Sequence, residues 1–200
     1  TEVPLSDATT TKTSYSNFTG LKSAETVGAT KVKLTWNATS DPTVVAYNIY
    51  DSTLFFSPRL IKTVPAPATF TTLTSLANTS LYAFRVRAAD EKQKEDSNTT
   101  DLNAIPYAGI VSASVASSTS ATVTFNDGSN SDEVHIYCKT PTDTDYTLYK
   151  RVTNVTQTST TLTGLTSGTL YTCRAALQIG TYVDNNTVTI TFTPIGQATD

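Results

Sequence analysis

The feature that most constrains the fold of this chain is a repeat. GLKSAETVGATKVKLTWN (20–37) lies without a gap over GIVSASVASSTSATVTFN (109–126), an offset of 89 residues. The same offset sets Val45, Tyr47 and Ile49 over Val134, Ile136 and Cys138. It also sets Leu73 and Leu76 over Leu162 and Leu165, and Tyr82, Phe84, Val86 and Ala88 over Tyr171, Cys173, Ala175 and Leu177. Apolar residues in these stretches recur at every second position, which on a strand lines up one face. The chain is therefore two copies of one module of about ninety residues, each with a two-sided strand pattern to bury.

Composition agrees with strands rather than helices. Threonine makes up about a fifth of the 200 residues, and methionine is absent. Threonine is β-branched and suits the solvated face of a pleated sheet. A hydrophobic share of 38% is enough for a core. The net charge of −3 comes without a Lys/Arg cluster able to neutralise several phosphates, so nucleic acid is not expected as a partner. No apolar run approaches the ~20 residues of a membrane-spanning helix. The opening TEVPLSDATTTKTS has no signal-peptide pattern, so any export signal is expected to be cleaved or to lie outside this sequence.

Each copy reads as about seven short strands between turn-rich polar stretches, the pattern of a β-sandwich. In the first copy we place strand A near Leu21–Ala24, B at Lys31–Trp36, C at Val45–Tyr50 and C′ near Leu60–Val64. E follows at Thr69–Leu73, F at Leu81–Ala88 and G near Thr99–Ala104. In the second, B is Ala121–Phe125, C Val134–Lys139, C′ Leu148–Val152, E Thr158–Leu162, F Leu170–Leu177 and G Thr187–Thr193.

Trp36 on strand B, AYNIY on C, and LANTSLYAFRVRAAD running into F resemble the fibronectin type III family. The second copy carries Phe125 for the tryptophan, VHIYC on C, and LTSGTLYTCRAAL. The resemblance spans residues 17 to 194 and implies an all-β chain of two tandem seven-stranded immunoglobulin-like sandwiches. The expected organisation is a Thr/Ser-rich flexible segment at 1–16, domains at 17–105 and 106–194, and a tail at 195–200. Pro106 should stiffen the connection and favour an elongated rod. The tail IGQATD reads as the start of another linker in a longer array. The structural residues implied are Trp36 and Phe125, and Leu76 with Tyr82 and Leu165 with Tyr171 as tyrosine corners, each phenol bonding backbone near its leucine. The threonine-rich style of both copies resembles bacterial secreted and cell-envelope versions.

Cys138 and Cys173 fall at inward positions of strands C and F, which are neighbours in the family's sheet. The family's usual register sets Cys138 opposite Ala175 and Cys173 opposite Thr140, so the sulfurs would be diagonal neighbours. A disulfide and two buried thiols both fit, and export favours the bridge.

Candidate sites are few. His135, the one histidine, lies between Val134 and Ile136 and is expected to be an exposed strand residue. A general base needs a nucleophile and an orienting acid, and no nucleophile motif occurs, so no catalytic residue and no cofactor is expected. NDGSNSDE (126–133) and TDTD (142–145) lack the ligand spacing of a calcium loop and read as Asx turns, so no metal is expected. DEKQKEDSN (90–98) reads as a solvated hairpin tip. TLFFSPRL (53–60) departs from the repeat, and Phe55, Phe56 and Arg59 are its loop candidates for binding. Six Asn-x-Ser/Thr sites, including Asn78 and Asn98, are potential glycan acceptors in an animal ectodomain.

The function expected is that of a non-enzymatic spacer or interaction segment of a secreted or surface-anchored protein, bacterial in style. Such a segment would be monomeric and would contact a protein, a cell surface or a glycan. The alternatives are accessory modules of a secreted carbohydrate-active enzyme and an animal receptor or matrix ectodomain.

Overall fold

The computed structural model describes residues 18–54 and 57–196. Among these residues there are strands and turns but no helix, so none is long and apolar enough to cross a membrane. The expected all-β class is what the threonine-rich, period-two sequence produces.

The first repeat forms two antiparallel sheets. One contains β1 (Leu21–Gly28), β2 (Lys31–Trp36) and β5 (Phe70–Leu73), in the order β1-β2-β5. The other contains β3 (Val44–Asp51), β4 (Arg59–Pro65), β6 (Tyr82–Asp90) and the short β7 (Leu102–Ala104), in the order β4-β3-β6-β7. The second repeat repeats the plan. β8 (Ile110–Ser117), β9 (Ser120–Phe125) and β12 (Ser159–Thr163) are ordered β12-β9-β8. β10 (Glu133–Lys139), β11 (Thr147–Val152) and β13 (Tyr171–Ile179) form β11-β10-β13, with β14 (Tyr182–Val183) and β15 (Thr189–Phe192) both pairing β13.

By its contacts the chain divides into two compact units. The first holds residues 18–24, Leu34–Thr72 and Tyr82–Leu102, and the second holds Glu25–Lys33, Leu73–Leu81 and the residues from Asn103 onward. In the first unit, alternation buries Leu34, Trp36, Tyr47, Ile49, Phe84 and Val86. The Trp36 and Tyr47 rings meet at 5.4 Å. Lys62 of edge strand β4 reaches across with its Nζ to the Thr72 carbonyl of β5, 3.3 Å away. A charge held at an edge in this way discourages pairing with another chain. In the second unit the core gathers Phe125, Ile136, Cys138, Leu162, Tyr171, Cys173 and Leu177.

Two expectations about strand C are corrected. Val45 is 38% exposed, because the ladder between β3 and β6 is irregular from Val44 to Ala46 and turns Val45 out. The second concerns register. Ile49 pairs Val86 in the first repeat, and Ile136, not Cys138, pairs the equivalent Ala175 in the second. The connection explains the slide: Tyr47 follows Trp36 by eleven residues, whereas its structural counterpart Val134 follows Phe125 by nine. A two-residue slide keeps every side chain on its face and changes only its partner.

Candidate functional site

That slide brings Cys138 directly opposite Cys173, where the diagonal arrangement had been expected. Their Cα atoms are 4.1 Å apart and the sulfurs are bonded. Both cysteines are fully buried, so the bridge is part of the core. Nearby, the Tyr171 hydroxyl accepts a hydrogen bond from the Thr166 amide at 3.0 Å, one residue past the buried Leu165. The Tyr82 ring stacks on the buried Phe84 ring at 5.5 Å. Trp36 and Phe125 occupy matching buried positions, each 2% exposed.

The polar side chains that could carry chemistry stand on the outer faces of the strand C and F ladders. In the first unit, Arg85 is buried and grips Asp101 with both prongs, Nε to Oδ1 at 2.8 Å and Nη2 to Oδ2 at 2.7 Å. Arg87 packs over the Tyr50 ring and approaches Glu95 Oε2 at 3.4 Å. Glu95 Oε1 accepts from the Asn48 amide and the Tyr50 hydroxyl, each at 2.5 Å. Burial, and then Glu95, raise the Tyr50 phenol above its ordinary range. The segment 90–98 is therefore not wholly a solvated tip. Its Glu95 and Asp96 turn back onto the sheet, and buried Asp96 accepts the Ala88 and Asn98 amides, each at 2.7 Å. Burial raises the Asp96 carboxyl.

The second unit uses the same device one position away. Asp184 is 2% exposed and accepts the Leu177 amide at 2.8 Å. Burial pushes its carboxyl up to about 8. Each acid is followed two residues later by an asparagine that anchors the chain. Asn98 bonds the Val86 carbonyl and the Thr100 amide, and Asn186 bonds the Tyr107 carbonyl and the Val188 amide. An amide engaged on both sides does not suit a glycan at Asn98, one of the acceptors that an animal ectodomain would offer.

His135 does lie on the outer face, but it is 2% exposed, contrary to the expected exposed histidine. Glu133, Tyr137 and Arg151 cover it. Its Nε2 meets Glu133 Oε2 at 2.7 Å and its Nδ1 meets the Tyr137 hydroxyl at 3.2 Å. Arg151 Nη1 donates to the same Glu133 oxygen at 3.0 Å. Hydrogen bonds from His135, and then Arg151, hold the Glu133 carboxyl below its usual range. Beside this cluster the Arg174 guanidinium lies over two rings, 5.2 Å from the Tyr137 centroid and 5.0 Å from that of Tyr146. Lys139 Nζ stands 5.0 Å from the same Tyr146 ring. The cation–ring group was missed in the sequence because Tyr146 comes from a connecting segment with no periodic signal.

Of the loop candidates, Phe55 and Phe56 lie outside the described residues. Arg59 is exposed, with its Nη2 3.4 Å from Asp51 Oδ2. The first unit has a shallow cleft of about 440 Å³ lined by Pro42, Thr43, Asp90, Glu91, Lys92 and Lys94. The oxygen-rich loops close on themselves. Asp127 accepts the Ser129 amide at 2.6 Å, and Asp143 accepts the Thr140 amide at 2.8 Å and its hydroxyl at 2.9 Å.

No family model matches the chain, and no curated protein matches it. Among solved structures it is similar to the FN1–FN3 domains of chicken CNTN1, at 15% identity and TM-score 0.38, covering 90% of this chain and 68% of that one. A two-domain fibronectin type III segment of chicken tenascin gives 18% identity and TM-score 0.37, covering 86% of this chain and 97% of that one. The central fibronectin-III array of RIM-binding protein gives 14% and 0.35, covering 92% and 71%. The strand orders A-B-E and C′-C-F-G, found in both repeats, make this chain an all-β protein of two tandem sandwiches with the strand order of the fibronectin type III fold.

Proposed function

We propose that the chain is a non-catalytic spacer and interaction module of a secreted or surface-anchored protein, each repeat (17–105 and 106–194) forming one sandwich. The observation that carries this reading is the buried Cys138–Cys173 bridge. Disulfides persist in oxidising compartments outside the cytosol, and a core bridge in a small sandwich suits a domain that must survive there unaided. The occupancy of His135 supports the non-catalytic part: both ring nitrogens already have partners, which leaves neither for a substrate proton. The bacterial assignment rests on the threonine-rich style of both repeats, and the role of a monomer contacting a protein rests on the tyrosine and arginine side chains of the sheet faces.

The test is a thiol titration of protein isolated from its native producer, denatured without reductant and with alkylation at lysis. Absence of free thiol is the expected result. Two free thiols per chain would overturn export as the protein's destination.

A further inference from the structure

Arg85 and Arg174 are the same residue of the repeat. Each stands on the outer face of strand F opposite a tyrosine of strand C, Tyr50 for Arg85 and Tyr137 for Arg174. A guanidinium offers Nε and one terminal nitrogen as a planar fork that fits the two oxygens of a carboxylate. In the first repeat that fork is filled by Asp101, at 2.8 and 2.7 Å. In the second, the corresponding stretch after Asn186 reads TVTITF and supplies no acid.

Arg174 is held in place by other means. Its Nη1 donates to Asn185 Oδ1 at 3.2 Å and to the Asn186 carbonyl at 2.9 Å, and Tyr137 and Tyr146 pack on its plane. Its Nε is buried and has no hydrogen-bond partner, and among the described residues no carboxylate pairs with it. The acids around it do not fill the gap. Asp184 is within electrostatic reach, but burial raises its carboxyl to about 8, so it brings little charge at neutral pH. Asp143, near Lys139, is committed to Thr140. Lys139 adds a second positive charge against the same Tyr146 ring. The result is a small patch of positive charge and tyrosine in a chain whose net charge is −3.

The geometry points to the Nε–Nη2 edge of Arg174 as the receptor for an aspartate or glutamate side chain of a protein partner, framed by Tyr137 and Tyr146 with Lys139 alongside. The chain itself supplies the precedent, since its own first repeat fills this fork with a carboxylate borne on polypeptide. Tyrosine and arginine are also the side chains that dominate the centres of protein–protein contacts. Because Nε is buried, the incoming carboxylate must displace part of what covers it, and we assign that movement to the Tyr146 ring. That ring sits in the connection before β11, outside the sheet ladder. The inference rests on the interaction-module reading above.

The experiment uses the whole chain, labelled with ¹⁵N, and follows the Nε–Hε cross-peaks of Arg174 and Arg85. The probe is the peptide acetyl-Glu-Glu-Glu-Glu-amide, with the glutamine peptide of the same length and 3′-sialyllactose as comparison arms at matched ionic strength. The expected result is a saturable shift of Arg174 with the glutamate peptide alone, while Arg85, already paired, does not move. Arg174→Lys keeps the charge but loses the fork, and should weaken binding about tenfold, as followed by the Tyr146 ring resonances. An unmoved Arg174, an equal shift with the glutamine peptide, or a response to sialyllactose only would each overturn the inference. The thiol titration is independent of this readout, so an unmoved Arg174 in protein without free thiol defeats the site and leaves export standing.

Discussion

Removing the Cys138–Cys173 bridge is the perturbation whose size the structure sets most directly. The two residues are 35 apart in sequence, so the bridge closes a loop of that length in the unfolded chain. The loop-closure estimate of lost entropy then gives about 4 kcal/mol of stabilisation at 25 °C. Folded packing should change little on reduction, because the ladder from Glu133 to Lys139 holds the two residues opposite one another. With a urea slope of about 1.5 kcal/mol/M for a small domain, the midpoint should fall by about 2–3 M. The assay compares urea unfolding of the oxidised protein with protein unfolded, reduced and refolded in reductant. Far-ultraviolet circular dichroism follows the whole chain, and the fluorescence of the single Trp36 follows the first unit, which holds it. The dichroism midpoint should fall, and by more than the tryptophan midpoint. Both sulfurs are fully buried, so mild reductant without denaturant should leave the bridge intact. Equal midpoints for reduced and oxidised protein, with both thiols confirmed free, would refute the loop-closure reasoning.

Three further outcomes are expected. Tyr171→Phe deletes the hydroxyl that accepts the Thr166 amide, and should cost about 0.5–1.5 kcal/mol in urea unfolding. Tyr82→Phe should behave alike if the corner is common to both repeats. Asp184 has a folded-state carboxyl at about 8, against about 3.9 for an unperturbed aspartate. The folded state therefore holds this proton more tightly than the unfolded state. The stability it adds is complete below pH ~4 and is lost as pH rises towards 8, by at most about 1.4 kcal/mol per pH unit. Unfolding midpoints measured from pH 4 to 9 should show that slope, and Asp184→Asn should flatten it. Gly20→Ala should destabilise more than Gly109→Ala. Both glycines have left-handed backbone, with φ of 84° and 79°, which costs an alanine about 1–2 kcal/mol. Only at Gly20 would the new Cβ fall 1.8 Å from Asn98 Nδ2 and break that side chain's anchoring bonds. Thermal melts of the two variants side by side will show the difference.

By itself the sequence determined the number of modules, the class of fold, most strand positions and which side chains face the core. It could do so because these properties are local and periodic. An alternation such as Val32, Leu34 and Trp36 repeats every two residues, and the second copy states it again at Ala121, Val123 and Phe125. The corner at Tyr171 was legible for the same reason, as a fixed spacing within one short stretch. Partnership between strands is not local. A strand shifted by two residues keeps an identical face pattern, so the pattern could not say whether Cys138 meets Ala175 or Cys173. Only the shorter connection ahead of β10, acting through the closed ladder, decided that.

The outer faces were hidden for a related reason. Alternation correctly sent His135 outward, but whether outward means exposed depends on what covers it, and Glu133 and Arg151 do. Asp96 sits in a charged run that any composition argument assigns to water, yet it is drawn inward because the Ala88 amide needs an acceptor. Arg85 and Arg174 look equivalent in the sequence. What separates them is the acid that folds back onto one and has no counterpart for the other, a difference that exists only once both edges of the sheet are in place.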